Sequence, residues 1–336
     1  MCTVARPAFN RWSKVVALSD VNYHRLIGRL AVEYNIGTFI KLTQFYGGNW
    51  RRAAIVIVTV LSNSAHLIKD LELGLKYAAT PPEDDDKRPI TLSAIARGLH
   101  FSRESVRRQV AELMNDGVMD RVSNEGFIVR TDYLTRPDVE ALIRYMAIGF
   151  VDIIAQLKLF SIEYPKIEGA TPIVIDIELL ERPPIYMITR AAGQFLFNCY
   201  FDAMSNGDKF YEFIIEYIVV KHNIKTIVLE MAFQYLASND VAPDEHRLPM
   251  TISEIAEAVS ISTSTAYRHI GRMIRDGRLV KAGAGYIVPA SRLLARLDYL
   301  ERINGYFDAT MRALQRFVTI DDLLLLTAAM KADRRP

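Results

Sequence analysis

Apolar positions recur at helical spacing in the middle of the chain. Leu92, Ile95 and Ala96 fall on one face of a short helix, and Thr91 precedes that helix as a candidate cap. Gly98 is expected to allow a tight exit from the helix, because glycine tolerates backbone angles that other residues avoid. The pattern predicts a short amphipathic helix followed by a turn.

A second helix is predicted directly after this turn, over Ser102–Asn115, with its serine as the cap. Val106, Val110 and Leu113 form an apolar stripe along it, which would pack against the first helix. Residues 118–129 then contain two apolar runs around a polar turn with a glycine, and this pattern is typical of a β-hairpin.

The same pattern occurs again further along the chain. Residues 89–117 align with residues 249–277 at a constant offset of 160, with nine identities in 29 positions. Thr251 and Ser262 take the two capping positions, and apolar positions stay apolar. The sequence therefore predicts an internal duplication.

A weaker similarity extends upstream of the two stretches at an offset of 174, and it aligns Asn49 with Asn223. The change of offset predicts a longer linker in the first half, where residues 80–88 are rich in proline and acids. The predicted domains are N-terminal helices at 1–79, a linker at 80–88, a first module at 89–130, a helix at 131–162, an extended connector at 163–184, helices at 185–240, a second module at 247–289 and C-terminal helices at 291–330.

The segment SRESVRRQVAEL, at residues 102–113, resembles the Ser-Arg-Glu-Thr-Val recognition sequence of the catabolite-activator class of winged helix-turn-helix regulators. The resemblance covers about 40 residues in each stretch. It implies a mainly α fold with two winged helix-turn-helix modules, each carrying a small β-hairpin wing, embedded in long helices. No glycine-rich β-roll sequence precedes either module, so the resemblance does not imply a cyclic-nucleotide domain, and no cofactor is expected.

The resemblance also implies how the first module would contact DNA. Arg103 and Arg108 would bind guanine and Glu104 would accept a hydrogen bond from cytosine, while Ser102 and Ser105 would bind phosphate. In the wing, an arginine would approach phosphates or the minor groove. The predicted DNA-binding residues of this module are Ser102, Arg103, Glu104, Ser105, Arg107, Arg108 and Arg121.

The second module departs from that pattern, because only Arg268 preserves it. Arg272 and Arg275 continue a basic flank suited to contacts with the DNA backbone. Because the two helices differ, we expect one chain to prefer two unlike half-sites. The predicted DNA-binding residues of this module are Ser262, Thr263, Ser264, Thr265, Tyr267, Arg268, His269, Arg272 and Lys281.

Charge is concentrated where the modules are predicted. The whole chain of 336 residues has a net charge of only +2, so any affinity for DNA must come from local basic surfaces. Residues 87–130 hold eight basic and five acidic residues, and residues 247–292 hold seven and three. The remainder, with 26 basic and 31 acidic residues, is mildly acidic.

Other features predict a cytoplasmic protein without catalytic or metal chemistry. Cys2 and Cys199 form no CxxC pair, which favours free thiols in a reducing compartment. No secretory signal is recognisable, and the longest apolar runs are too short to span a membrane. The sequence contains no nucleophile elbow, P-loop, dinucleotide-binding turn or HExxH helix, so an enzyme is not expected. Residues 244–246 are predicted to be a hydrophilic turn rather than a metal site, since no second ligand group stands at metal spacing.

These patterns together predict a bacterial transcriptional regulator that binds specific double-stranded DNA. A plasmid or phage-type replication initiator, and a chromosome-segregation or polymerase-associated scaffold, are the alternatives. An aromatic-rich stretch from Phe195 to Tyr217 favours a packed core or a dimer interface over an effector pocket. A symmetric homodimer, an effector and the sign of regulation stay open at this point.

Overall fold

The structure is a computed structural model, and it describes residues 23–122, 126–159, 183–205, 209–225, 241–295, 297–317 and residue 325. Within these residues the chain is mainly helical, and strands occur in two small antiparallel hairpins. No helix in this described part is long and apolar enough to cross a membrane. The predicted extended connector falls, up to residue 182, outside the described residues.

The elements are numbered in chain order. The helices are α1 (Tyr23–Phe45), α2 (Trp50–Ser64), α3 (Leu71–Lys76), α4 (Leu92–Leu99), α5 (Arg103–Asn115), α6 (Thr131–Leu134), α7 (Pro137–Leu159), α8 (Ile185–Ser205), α9 (Phe210–Asn223), α10 (Ile252–Val259), α11 (Thr263–Arg275), α12 (Ala290–Leu294) and α13 (Leu297–Gln315). The strands are β1 (Met119–Val122), β2 (Gly126–Val129), β3 (Val280–Ala282) and β4 (Gly285–Ile287).

A bundle of long helices forms the centre of the molecule. Helices α1 and α8 each pack against both α7 and α13. In its core the rings of Phe150, Phe195 and Phe307 meet pairwise, with centroids 5.6 to 5.8 Å apart, and all three side chains are fully buried. Burial of such aromatic surface is the main source of stability for a bundle.

The first module consists of α4, α5 and the β1–β2 hairpin, as the apolar pattern predicted. The Thr91 hydroxyl accepts from the Ala94 amide at 3.2 Å, and the Ser102 hydroxyl accepts from the Ser105 amide at 3.2 Å, so both predicted caps are confirmed. The predicted role of Gly98 is wrong. Helix α4 continues to residue 99, and its exit uses a left-handed His100, with φ of 54°.

The second module has the same order of elements, α10, α11 and the β3–β4 hairpin. Thr251 forms a capping box with Glu254, and Ser262 caps α11. Ser260 takes the left-handed position, with φ of 56°. In this hairpin, Val280 lies opposite Ile287. The hairpins predicted in both modules are thus present.

A buried asparagine at the end of a helix fixes each module to the bundle. Asn63, near the end of α2, donates through Nδ2 to the carbonyls of Arg88 (2.7 Å) and Phe127 (3.2 Å) and accepts through Oδ1 from the Val129 amide (3.0 Å). Asn223, at the end of α9, makes the equivalent bonds to Leu248 (2.7 Å), Tyr286 (3.4 Å) and Val288 (3.0 Å). A single side chain thereby joins the segment that enters each module to the second strand of its hairpin or to the residue that follows that strand.

These bonds correct the upstream alignment. Asn63 makes the contacts that match those of Asn223, so the offset stays at 160 and does not change to 174. Asn49 instead caps the start of α2, where its side chain accepts from the Arg52 amide. Asn63 is the penultimate residue of α2 and Asn223 is the last residue of α9, and both helix ends lie beside a hairpin.

Residues 80–88 are consequently not a longer, free linker. The Lys87 ammonium is buried and donates to the Asp84 carboxylate (2.7 Å), the Val129 carbonyl (2.6 Å) and the Thr131 hydroxyl (2.7 Å). The prolines and acids of this segment predicted only a longer linker. In this segment one acid instead anchors the start of α6, because the Thr131 amide donates to Asp84 Oδ1 at 2.9 Å.

Aromatic rings at the first residues of α2 and α9 join the two halves. The rings of Trp50 and Phe210 stack with centroids 4.1 Å apart and planes 7° from parallel. Phe101, from the first module, packs edge-on against Trp50 at 5.2 Å, and Tyr211 contacts His269 of the second module at 5.3 Å. These contacts connect each module to the junction of α2 and α9, and α9 is buried as its apolar sequence predicted.

Candidate nucleic-acid interface

The outer face of α5 carries a group of charged side chains. Val106 is fully buried, and Val110 and Leu113 are also buried, so the stripe faces inward as predicted. On a helix this orientation directs the residues between the stripe positions outward. The exposed residues on the outer face of its first half are Arg103, Glu104, Arg107 and Arg108.

Two of these side chains are paired with each other. Arg107 donates to both carboxylate oxygens of Glu104, at 2.8 and 2.6 Å, and this pairing lowers the pKa of the carboxyl. A fully exposed pair of this kind is weak and easily exchanged for other partners. Arg103 and Arg108 have no hydrogen bond or ion pair within the described part of the chain, so their guanidinium groups are available to a ligand.

Hydroxyl groups surround the N-terminus of α5. Ser102 is exposed and uses its oxygen as the cap acceptor, which leaves its O–H able to donate. Ser105 is half-buried. Helix N-termini with free amides and hydroxyl donors are suited to phosphate oxygens.

The outer face of α11 has a different chemistry. Ala266 is fully buried, which again directs the predicted contact residues outward. Tyr267 is 68% exposed, and Arg268 is exposed with no partner in the described residues. At the N-terminus the hydroxyls of Ser262 and Thr265 are 2.9 Å apart. The other exposed residues of this end are Thr263 and Ser264.

His269 lies elsewhere than predicted. It is buried on the side of α11 that faces α9, where its Nδ1 is 3.6 Å from a carboxylate oxygen of Glu212 and 2.8 Å from an Nη of Arg272. Burial lowers the pKa of the imidazole, and the positive charge of Arg272 lowers it further. The ring therefore serves the packing of the module and is not presented to a groove.

Arg272 also points away from its predicted role on a basic flank. Its Nε is 3.0 Å from Glu212 Oε1, and its side chain is 32% exposed. Because a buried carboxylate holds this guanidinium, it is less available to a DNA phosphate than an exposed arginine. Arg275, at the end of the same helix, remains exposed.

Two buried glutamates on α9 explain this arrangement, and the sequence analysis missed them. Glu212 and Glu216 are 2% and 3% exposed. Arg278 donates to Glu216 Oε2 at 2.7 Å and to Glu212 Oε2 at 3.4 Å, while Arg292 donates to Glu216 Oε1 at 3.0 Å. A signal for this cluster was present in the sequence, because two acids stand one helical turn apart in an otherwise apolar helix. Carboxylates buried with such a helix require cations nearby.

This cluster changes the meaning of the segment charges. Two of the basic residues counted in residues 247–292 are buried: Arg247, which lies 3.2 Å from the half-exposed Asp244 carboxylate, and Arg278, which lies against the buried glutamates. The exposed cations that face outward on this module include Arg268, Arg275 and Lys281. The first module keeps more of its positive charge on the surface, at Arg88, Arg97, Arg103, Arg108 and Arg121.

The predicted wing residues lie on the first strand of each hairpin. Arg121 is exposed on β1 opposite Phe127, and Lys281 is exposed on β3 opposite Tyr286. Both wings therefore present a cation beside a helix whose outer face is exposed.

Comparison with protein families gives one match, in which residues 249–280 fit the family described as winged helix-turn-helix DNA-binding. The match extends from the start of the second module to the first residue of β3. Curated proteins and solved structures give no match. The C-terminal part of the chain therefore contains a winged helix-turn-helix DNA-binding domain.

Proposed function

We propose that this chain is a transcriptional regulator that binds specific double-stranded DNA through two non-identical winged helix modules. The observation that carries the proposal is the outer face of α5, where Arg103 and Arg108 are exposed and unpaired beside a capped helix N-terminus. This is the part of a recognition helix that reaches base edges in the major groove.

Internal duplication accounts for the second module. In support of it, the caps, the left-handed residues and the asparagine contacts all occur in both halves at an offset of 159 or 160. The bundle repeats in the same way, because α1 and α7 pair as α8 and α13 do. The domain that matches the family thus supports the same activity for the first module.

The two modules would contribute differently to DNA binding. Arg103 and Arg108 would donate to guanine, and Glu104 would exchange Arg107 for a cytosine amino group. On α11, the hydroxyls would bind mainly phosphates, whereas Arg268, at the position equivalent to Arg108, would contact a base edge, with Tyr267 against the groove wall. Because the contact residues of the two helices differ, one chain would bind two unlike half-sites.

Selection of bound sequences from random duplexes tests this proposal. We expect an enriched motif with guanines in one half-site, and affinity that falls steeply with salt concentration. Arg103→Ala or Arg108→Ala should weaken binding by roughly 1 to 3 kcal/mol and relax the preference at one position. Arg97→Ala, which removes an exposed arginine from α4, is the matched control and should leave the motif unchanged.

Loss of the same size on every sequence would make Arg103 and Arg108 phosphate contacts and would contradict base reading. Absence of salt-dependent DNA affinity would favour a scaffold that binds protein. Mapping of bound sites across a genome then separates a regulator, bound near promoters, from an initiator bound at iterated origin repeats.

A further inference from the structure

A cavity lies between the helical bundle and the inner edge of the first module. Its volume is about 100 Å³, smaller than the roughly 150 Å³ of an apolar cavity that holds benzene, so it suits a short, branched hydrocarbon body. Helices α1, α2, α7 and α8 supply most of its walls, and Val129 and Leu134 reach it from the module side. A ligand in this cavity would contact both the bundle and the module.

The walls are mainly aliphatic, with contributions from Val56, Val60, Leu142 and Met146 among others. The polar groups of the lining are largely paired already. The hydroxyls of Tyr46 and Tyr133 are 2.8 Å apart, and the Tyr186 hydroxyl donates to the Leu134 carbonyl at 3.0 Å. Such walls favour a hydrocarbon body.

Two buried cations, Lys87 and Arg190, line the cavity, and they differ in whether an acidic side chain compensates their charge. The three donors of the Lys87 ammonium are directed to the Asp84 carboxylate and two oxygen acceptors, so its charge is compensated. Arg190 is 6% exposed and donates to the carbonyls of Tyr77 (2.8 Å) and Gly74 (3.4 Å). No carboxylate within the described residues pairs with Arg190.

An uncompensated guanidinium at this depth is unusual, because a buried charge normally has a partner of opposite sign. Burial lowers the pKa of Arg190 to about 10, and no acid among the described residues offsets this effect. A second cavity, of about 120 Å³, reaches the same side chain from the side of α13. Within the part of the chain that the structure describes, Arg190 is thus a buried cation without an acidic partner.

We propose that the cavity binds a small amphipathic carboxylate, whose carboxylate pairs with Arg190 and whose apolar body occupies the space between α2, α7 and the first module. One guanidinium matches one monoanion, and its planar fork suits a carboxylate. The ligand site stands independently of DNA binding. The cavity could also be an effector site, in which a bound ligand shifts the first module relative to the bundle and thereby changes the DNA affinity of the module. This use rests on the proposed function.

Direct titration of the full chain without DNA tests the ligand site. The probes are isobutyrate and isovalerate, each compared with its neutral amide by calorimetry. We expect at least one carboxylate to bind at least tenfold more tightly than its amide. In Arg190→Met the carboxylate should lose that advantage, while the affinity of the amide stays the same.

A second pair of variants keeps Arg190 in place. Val60→Phe should fill the cavity and abolish binding, whereas Val220→Phe, at the position 160 residues later and outside the cavity lining, should bind as the unmodified protein does. Circular dichroism checks that each variant is folded.

Three results would overturn the ligand site: no binding of either carboxylate at millimolar concentration, equal binding of carboxylates and amides, or unchanged binding in Val60→Phe. A protein that binds a carboxylate and fails to bind DNA would contradict the proposed function and leave the ligand site standing. If DNA affinity does not respond to a bound carboxylate, the cavity is a ligand site without the effector role.

Discussion

The two modules have the same order of elements, but they are seated on the bundle by different interactions. Where the second module has the buried pair Glu216 and Arg278, the equivalent positions of the first hold Val56 and Val118, which are buried and apolar. One backbone arrangement therefore tolerates either an apolar contact or an ionic contact between a module and the bundle, and we call these contacts the apolar seat and the ionic seat. The ionic seat should lose much of its stability when a single partner is removed, whereas the apolar seat should lose stability in proportion to the apolar surface removed.

The same difference extends to the outer faces. At the position of His269 the first module has Gln109, a neutral side chain that accepts from Asn49 at 2.8 Å and donates to a Glu112 carboxylate oxygen at 3.2 Å. In the second module Arg272 and Arg278 turn inward to the glutamates. The arginines of α5 in the first module are instead exposed, which agrees with the proposal that α5 has the larger role in reading DNA.

The largest effect is expected from breaking the ionic seat. Glu216→Ala removes the carboxylate that Arg292 contacts and leaves Arg278 with Glu212 alone, at 3.4 Å, and removal of one member of a buried pair costs about 3 to 5 kcal/mol of unfolding free energy. Val56→Ala, at the equivalent position, removes two methyl groups and should cost about 2 kcal/mol. Denaturant unfolding of both variants measures the difference.

Copying the first module into the second sharpens this comparison. The double variant Glu216→Val with Arg278→Val should regain most of the lost stability, because apolar replacements of a buried pair are often neutral. A double variant that is less stable than Glu216→Ala would show that the ionic seat has a role that packing cannot replace.

The asparagines that fix the modules should behave alike in both halves. Asn63→Ala and Asn223→Ala each leave a buried backbone amide, of Val129 or of Val288, without its acceptor, and we expect each to cost about 2 to 3 kcal/mol. Asn115→Ala, at an exposed helix end, is the control and should change the unfolding free energy little. Clearly unequal losses would argue against equivalent seats.

Arginines at outward and inward positions should separate DNA affinity from stability. Arg108→Ala should weaken DNA binding by roughly 1 to 3 kcal/mol with little change in unfolding. Arg272→Ala should mainly destabilise the fold, because it removes a partner of the buried Glu212. Fluorescence anisotropy and denaturant unfolding, applied to both variants, measure the two effects, and the reverse result would contradict the inward position of Arg272.

The smallest effect concerns pH. The folded state lowers the pKa of His269 from 6.5, so the unfolded chain binds the additional proton more readily as pH falls. Stability should therefore decrease below about pH 6.5, in addition to the contribution of carboxylates at lower pH. His269→Gln, which copies the first module, should remove this part of the pH dependence. An unchanged profile between pH 7 and 5 would show that His269 does not contribute.

Local signals in the sequence predicted much of the fold. The caps, the apolar stripes and the hairpins were found because each depends on residues close together in the chain. The asparagine contacts were missed, since Asn63 meets residues 25 to 66 positions away, and no local pattern reveals them. The left-handed exit at His100 was assigned to a glycine because the type of residue, and not the end of the helix, guided that prediction.

Some of the site was predictable but was assigned incorrectly. His269 follows Ala266 by three positions, so helical periodicity already puts it on the buried face. Because α5 resembles a recognition sequence, His269 of the equivalent helix α11 was predicted to be a DNA contact on the surface. The basic count of residues 247–292 was correct as composition, yet it did not reveal that Arg247 and Arg278 are buried and paired, with Asp244 and with the glutamates of α9.

The central claim is that both modules read DNA, each with its own sequence preference. Selection from random duplexes by the unmodified chain, Arg108→Ala and Arg268→Ala tests it directly. We predict two unlike sequence blocks, with Arg108→Ala relaxing the first and Arg268→Ala weakening the second alone. A single block that neither variant changes, or binding without sequence preference, would contradict the account.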